Sequence, residues 1–141
     1  PITMATKIFV NIVVKDLDKS KAFYENIGYS INPQFTDENA ASVVISEDIY
    51  VMLLTEAFFK RFTTKSIVDP AQAIETIICL SADSREDVDS IIEKAKAAGG
   101  KETRPAEDHG WMYQRSFQDI DGHQWEYAYM DMGAMDQLSQ G

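Results

Sequence analysis

The chain has very little of the chemistry that most often marks function. Cys79 is its one cysteine, so no intramolecular disulfide framework exists. It sits in Thr76-Ile77-Ile78-Cys79-Leu80, a buried-strand pattern in which cysteine behaves as a small hydrophobe. With no disulfide framework, a cytoplasmic location is the expectation. Histidine occurs only at His109 and His123. Positive charge is scarce, with 13 Lys and Arg against 23 Asp and Glu and a net charge of −10. Nucleic acid needs a basic stripe, which is missing, so it is not an expected partner. No apolar run approaches the ~20 residues that span a bilayer, so no membrane partner is expected either. No leader with a small-residue cleavage site is recognisable, and no secretory signal is expected. Pro1-Ile2-Thr3 ahead of Met4 reads as a tag remnant, which sets residues 1–6 apart.

What the chain does have is length and apolar content. Its 141 residues, 45% of them hydrophobic, suffice for one domain or two small repeats. Lys7 to Val14 is β-branched and apolar and predicts a strand. Asp16 to Ser20 supplies caps for a helix carrying Ala22, Phe23 and Ile27 on one face, and Gly28 stops it. Strands follow over Ser30–Phe35, Ala41–Ile45 and Tyr50–Leu54. After a connector the order returns. A strand over Glu75–Ala82 leads to a Ser84-x-x-Asp87 capping box. A helical stripe of Val88, Ile91, Ile92 and Ala95 ends at Gly99-Gly100. Further strands are expected near Lys101–Arg104, Met112–Phe117 and Gln124–Met130. The tail from Asp131 is expected to fray.

This order defines an α+β fold of two βαβββ repeats, 7–55 and 73–130, joined by a connector over 56–72 and followed by a tail over 131–141. The expected assembly is a curved mixed sheet around a groove, a usual shape for a small-ligand site. Phe58, Phe59 and Phe62 are too aromatic for a solvated linker. They are expected to cover a core edge, a partner subunit or a pocket mouth.

Asp119-Ile120-Asp121-Gly122-His123-Gln124-Trp125-Glu126 reads as a tight acidic turn feeding a strand. Alternation puts Gln124, Glu126 and Ala128 on one face and Trp125, Tyr127 and Tyr129 on the other. The aromatic face should meet the helix, which aims Glu126 at the groove as a ligand-binding carboxylate or general base. Its alternative is a solvent-facing position. His109, in a loop before a strand, is either an acid–base group or a bland loop residue, and with Glu126 it makes the catalytic candidates. Arg115 is open to two roles. It clamps an anion or neutralises Glu126, or it makes a surface pair. Tyr113 brings a ring and a hydroxyl to the same strand face, and Trp111 offers a stacking surface or a core ring. Asn11 is a polar residue on the same strand face as Phe9, which suggests the groove side, the alternative being a strand-edge hydrogen bond.

Three segments together resemble the vicinal oxygen chelate superfamily of glyoxalase I, extradiol dioxygenases, and fosfomycin and bleomycin resistance proteins. They are Val14-Lys15-Asp16-Leu17-Asp18-Lys19-Ser20-Lys21-Ala22-Phe23-Tyr24, then Gly28-Tyr29, then Asp119 to Glu126. The resemblance covers Lys7 to Met130. It implies four metal-ligand positions, two per repeat, in the family's metal enzymes. Carried over, these fall on Phe9, Leu53, Ile77 and Glu126, with Glu75 and Thr76 beside Ile77 if the register slips. Only Glu126 can ligate, so no metal or other cofactor is expected. What the resemblance then implies is a small organic molecule bound over Phe9, Asn11, Leu53 and Ile77. The alternative is a metal-dependent lyase, isomerase or dioxygenase with a rebuilt site. Family grooves are often completed by pairing, so a homodimer is expected.

Overall fold

The computed structural model describes residues 6–134 and 136. The tag reading at the first residues and most of the tail expected to fray therefore lie outside the described residues. The chain divides into two compact units, Pro1–Val68 and Asp69–Gly141.

The first unit runs β1 (Ile8–Val14), α1 (Leu17–Asn26), β2 (Ser30–Asn32), β3 (Ala40–Val44) and β4 (Ile49–Thr55). Its sheet has the order β1-β4-β3-β2. The β1–β4 pair is parallel and the other pairs are antiparallel. Asp16 caps α1 by accepting from the Lys19 N–H at 3.1 Å. One face of α1 buries Phe23 and Tyr24 with Ile27, and the sheet answers with Val43, Val51 and Leu53, all nearly inaccessible. Each such apolar side chain contributes roughly 1.5–3 kcal/mol over its exposed state. β2 stops at Asn32, short of the expected Phe35, because Pro33 opens a 3-10 turn. The Asn32 side chain accepts from the Gln34 N–H at 3.0 Å and fixes that turn. The front of the connector is helical, as α2 (Glu56–Phe59) and a 3-10 turn over Lys60–Phe62.

The second unit repeats the plan with β5 (Ile77–Ala82), α3 (Arg85–Ala97), β6 (Lys101–Glu102), β7 (Glu107–Asp108), β8 (Met112–Gln118) and β9 (Gln124–Met130). The sheet order is β5-β9-β8-β6, and β7 also pairs with β8. β5 and β9 are parallel, matching β1 and β4. Ser84 accepts from the Asp87 N–H at 3.0 Å, as the capping motif requires. α3 buries Val88, Ile92 and Ala95 against Phe117, Trp125 and Tyr127. Phe117 stacks on both rings, at 6.2 Å to Trp125 and 5.9 Å to Tyr127. β6 is shorter than expected and is followed by Pro105, which has no N–H for a ladder. β7 forms where a loop was expected. It pairs Asp108 with Tyr113 and Glu107 with Gln114.

Among the described residues no helix is long and apolar enough to cross a membrane.

Candidate functional site

Two places bring functional side chains together, one in each unit. In the second unit α3 covers one face of the sheet. The alternation of β9 sends Trp125 and Tyr127 into that core and Glu126 to the other face. Register sets Cys79 and Ser116 on either side of Glu126. Gln114, two residues from Ser116 along β8, shares this face. Cys79 is exposed, contrary to its expected burial, because α3 covers only the opposite face of β5.

Glu126 is 14% exposed and meets a cation that sequence reading missed. Arg104 donates to its Oε2 from Nη2 at 2.8 Å and from Nε at 3.3 Å. Gln114 Nε2 donates to its Oε1 at 3.0 Å. Arg104 Nη2 also reaches Gln114 Oε1 at 3.2 Å, which closes a ring of three side chains. Arg104 Nη1 donates to Glu107 at 2.7 Å, and His109 Nε2 stands 3.5 Å from the other Glu107 oxygen. A polar chain thus runs from His109 through Glu107 and Arg104 to Glu126. The Glu126 carboxylate holds the Arg104 guanidinium above its usual range. The Cys79 thiol is pushed up, first by burial of the sulfur and then by the Glu126 charge.

Arg115 and Tyr113 occupy the opposite face of β8, toward α3. Arg115 donates to Glu102 at 2.9 Å from both Nε and Nη2, to Asp89 at 2.8 Å and to Glu93 at 3.0 Å. Tyr113 donates its hydroxyl to Asp89 at 2.6 Å. Arg104, not Arg115, is therefore the partner of Glu126. The register counted back from the acidic turn carries the missing signal. It sets Ser116 opposite Glu126, so even-numbered β8 residues share its face. An open polar hollow of about 480 Å³ borders Arg104, Tyr113 and Arg115 beside the Pro105 loop. His109 is 55% exposed. Trp111 is half-buried, and its carbonyl accepts from the Asp131 N–H. Ile77 is 46% exposed on the Glu126 face, at the start of β5.

In the first unit a pocket of about 450 Å³ opens on the sheet face away from α1. Its floor is Asn11 beside Met52 and Ala40 beside Leu54, neighbours by register. Its wall is Phe58, Phe59 and Phe62, with Thr63 at the end. Thr55 starts that wall by accepting from the Phe58 N–H at 3.3 Å. Phe58 and Phe62 meet edge to face at 5.1 Å. The connector aromatics and Asn11, separate observations in the sequence, thus meet in one cavity. Phe9 lies on the same strand face, half exposed, stacked on Tyr50 at 5.0 Å. Leu53 is fully buried on the helix side of β4. A shift of one residue reverses the face, so Met52 and Leu54 line the pocket instead.

Two units of βαβββ type with mixed sheets, one with the Glu126 cluster and the other with the aromatic-walled pocket on the sheet face away from the helix, define a class of small α+β proteins. The chain belongs to the Glyoxalase/Bleomycin resistance protein/Dioxygenase superfamily, whose family model matches residues 8–127. Among solved structures, it is similar to a hypothetical protein from S. aureus at 29% identity. That likeness covers 90% of this chain and 95% of the other, with a TM-score of 0.74. A glyoxalase/bleomycin resistance protein/dioxygenase family enzyme from Burkholderia phytofirmans shares the fold at 17% identity. It covers 89% and 99% of the two chains, with a TM-score of 0.73. The fosfomycin resistance protein FosX from Listeria monocytogenes shares the fold at 22% identity. It covers 90% and 92%, with a TM-score of 0.63. No curated protein matched the chain. Among the described residues no group of three or more His, Cys, Asp or Glu side chains is placed to hold a metal ion.

Proposed function

We propose that this protein binds a small organic molecule and does so without the divalent metal of the family's enzymes. One observation carries the reading. The single ligating residue at the family's metal positions, Glu126, has both carboxylate oxygens engaged, one by Arg104 and one by Gln114. A cation arriving there meets a guanidinium, and the electrostatics oppose it. Phe9, Leu53 and Ile77, at the other carried-over positions, offer no donor atom. The donor set does not fit a divalent ion. The pocket of the first unit, at about 450 Å³, is of the size that small-molecule sites have.

The active form in this reading is a homodimer. Ile8 and Phe9 on edge strand β1 of the first unit, and Ile77 on edge strand β5 of the second, are about half exposed, apolar positions of the kind a second copy covers. Light scattering at micromolar concentration reads this directly, and a monomer removes it.

A second reading is acid–base turnover by His109 and Glu126. The polar chain through Glu107 and Arg104 that links them favours it. In this reading H109N abolishes turnover of a substrate, whereas in a pure binding protein it changes nothing.

The test of the main reading is elemental analysis of protein purified without chelator and then dialysed, with thermal-shift screening of divalent ions and small organic compounds. Stabilisation by organic compounds and a metal content far below one ion per chain are expected. A stoichiometric divalent ion that survives dialysis overturns it.

A further inference from the structure

The first-unit pocket has a chemical character that narrows its ligand further. Its lining contains no charged side chain. The floor gives Met52 and Leu54, and the wall gives the three rings of Phe58, Phe59 and Phe62. An ion entering such a place loses hydration and gains no countercharge, which is strongly unfavourable. Flat aromatic surface is what stacked and edge-on rings accept best.

Two polar handles interrupt the apolar lining. Asn11 donates weakly to the Phe9 carbonyl, at 3.4 Å. Among the described residues its carboxamide oxygen accepts no hydrogen bond, and its second N–H is also open. Thr63 Oγ1 already accepts from the Lys65 N–H at 3.1 Å, which leaves its own proton to donate. A carboxamide with an open acceptor and an open donor matches a ligand group that carries both, such as an amide, a lactam or a phenol.

We propose that this pocket takes an uncharged, flat aromatic molecule whose single hydrogen-bonding group pairs with Asn11. The inference rests on the small-molecule reading but not on its metal-free clause. The Arg61 guanidinium lies 5.5 Å from the centre of the Phe58 ring, engaged with the aromatic face, and is not part of the lining.

The experiment uses three near-isosteric probes that differ in charge: 2-naphthamide, 2-naphthoate and 2-naphthylmethylammonium. Affinities are measured by calorimetry on the full chain, and the Met52 methyl resonance reports whether the pocket is occupied. The amide is expected to bind at least tenfold more tightly than either ion and to shift the Met52 methyl. N11L, at an exposed position that the fold does not need, is expected to weaken the amide about tenfold and leave the melting temperature unchanged. Either ion binding as tightly as the amide, with Met52 shifted, overturns the neutral-ligand inference and leaves small-molecule binding standing. Failure of all three probes to move Met52 overturns the assignment of the pocket. The elemental analysis reads the metal-free clause separately.

Discussion

Arg104 and Glu126 are 22 positions apart in the chain, and their side chains meet at 2.8 Å on the open face of the second sheet. The guanidinium closes a ring with Gln114 and reaches on to Glu107. Glu126 is mostly buried and Arg104 about one-third exposed, so loss of the cation leaves a poorly hydrated carboxylate. R104M is expected to destabilise the fold by about 1–2 kcal/mol, discounted for the exposure of Arg104. E126Q is expected to cost less, because an amide still accepts from Arg104. A double-mutant cycle by urea unfolding should give a coupling near 1 kcal/mol. Strict additivity would mean that the pair contributes nothing.

Cys79 reports on the same face. Its residue is exposed, yet partial burial of the sulfur and the Glu126 charge disfavour the thiolate. The thiolate is the reactive form, so labelling near neutral pH should be slow for an exposed cysteine. E126Q removes one of the two causes and should accelerate labelling several-fold at pH 8. Equal rates in the two proteins would place Glu126 too far from the sulfur to matter.

One side-chain atom gathers three donors in the acidic turn before β9, beside the backbone bonds Asp119 N–H to His123 O at 2.8 Å and Gly122 N–H to Asp119 O at 3.1 Å. Asp119 Oδ1 accepts from the N–H groups of Asp121 at 3.0 Å, Gly122 at 3.0 Å and His123 at 2.9 Å. D119A strands the Asp121 and His123 donors, while the Gly122 N–H keeps the Asp119 carbonyl at 3.1 Å, and should lower stability by about 2–4 kcal/mol. D119N keeps an oxygen in that position and should retain most of it. Gly122 adds a steric requirement. It has φ +105°, and a Cβ there would lie 2.7 Å from the Pro70 carbonyl oxygen. G122A should therefore be at least as damaging as D119A in the same unfolding measurement.

Arg115 contributes to acid stability, beside Arg85, which holds the Asp108 carboxyl well below the usual carboxylate range. Its guanidinium holds Glu102 below the usual carboxylate range, and the Tyr113 hydroxyl, ahead of Arg115, does the same for Asp89. A carboxylate with a depressed folded-state pKa stabilises the fold above its unfolded value, about 3.9 for Asp and 4.3 for Glu. That contribution disappears as pH falls through the folded value. The melting temperature should therefore drop from about pH 5 downward. R115M should lower it at pH 7 and flatten the acid slope. An unchanged slope in R115M would assign the acid sensitivity to other carboxylates.

Much of the fold was legible because its signals are local. The Asp16 and Ser84 caps and the apolar stripe of α3 each lie within one or two turns of chain. So does the alternation around Glu126, which correctly placed Trp125 and Tyr127 in the core. The misreadings have equally specific causes. Ser30–Phe35 looked like one strand, but Pro33 turns the chain after Asn32. The apolar run through Cys79 looked buried on both sides, but α3 covers only one. Leu53 was aligned one residue away from the pocket-lining Met52, enough to reverse its face.

Periodicity and turn chemistry are properties of short segments, and they were enough to read the repeat, the family, the turn at Asp119 and the face of β9 that carries Glu126. What Glu126 meets and where the connector aromatics go follow from long-range packing. Arg104 reaches Glu126 because β6, the Pro105 loop and β7 return beside β8 in one particular register. Phe58, Phe59 and Phe62 become a pocket wall because α2 folds back over β1 and β4. Such pairings depend on residues brought together across the chain, and the residue types alone offered Glu126 the wrong arginine.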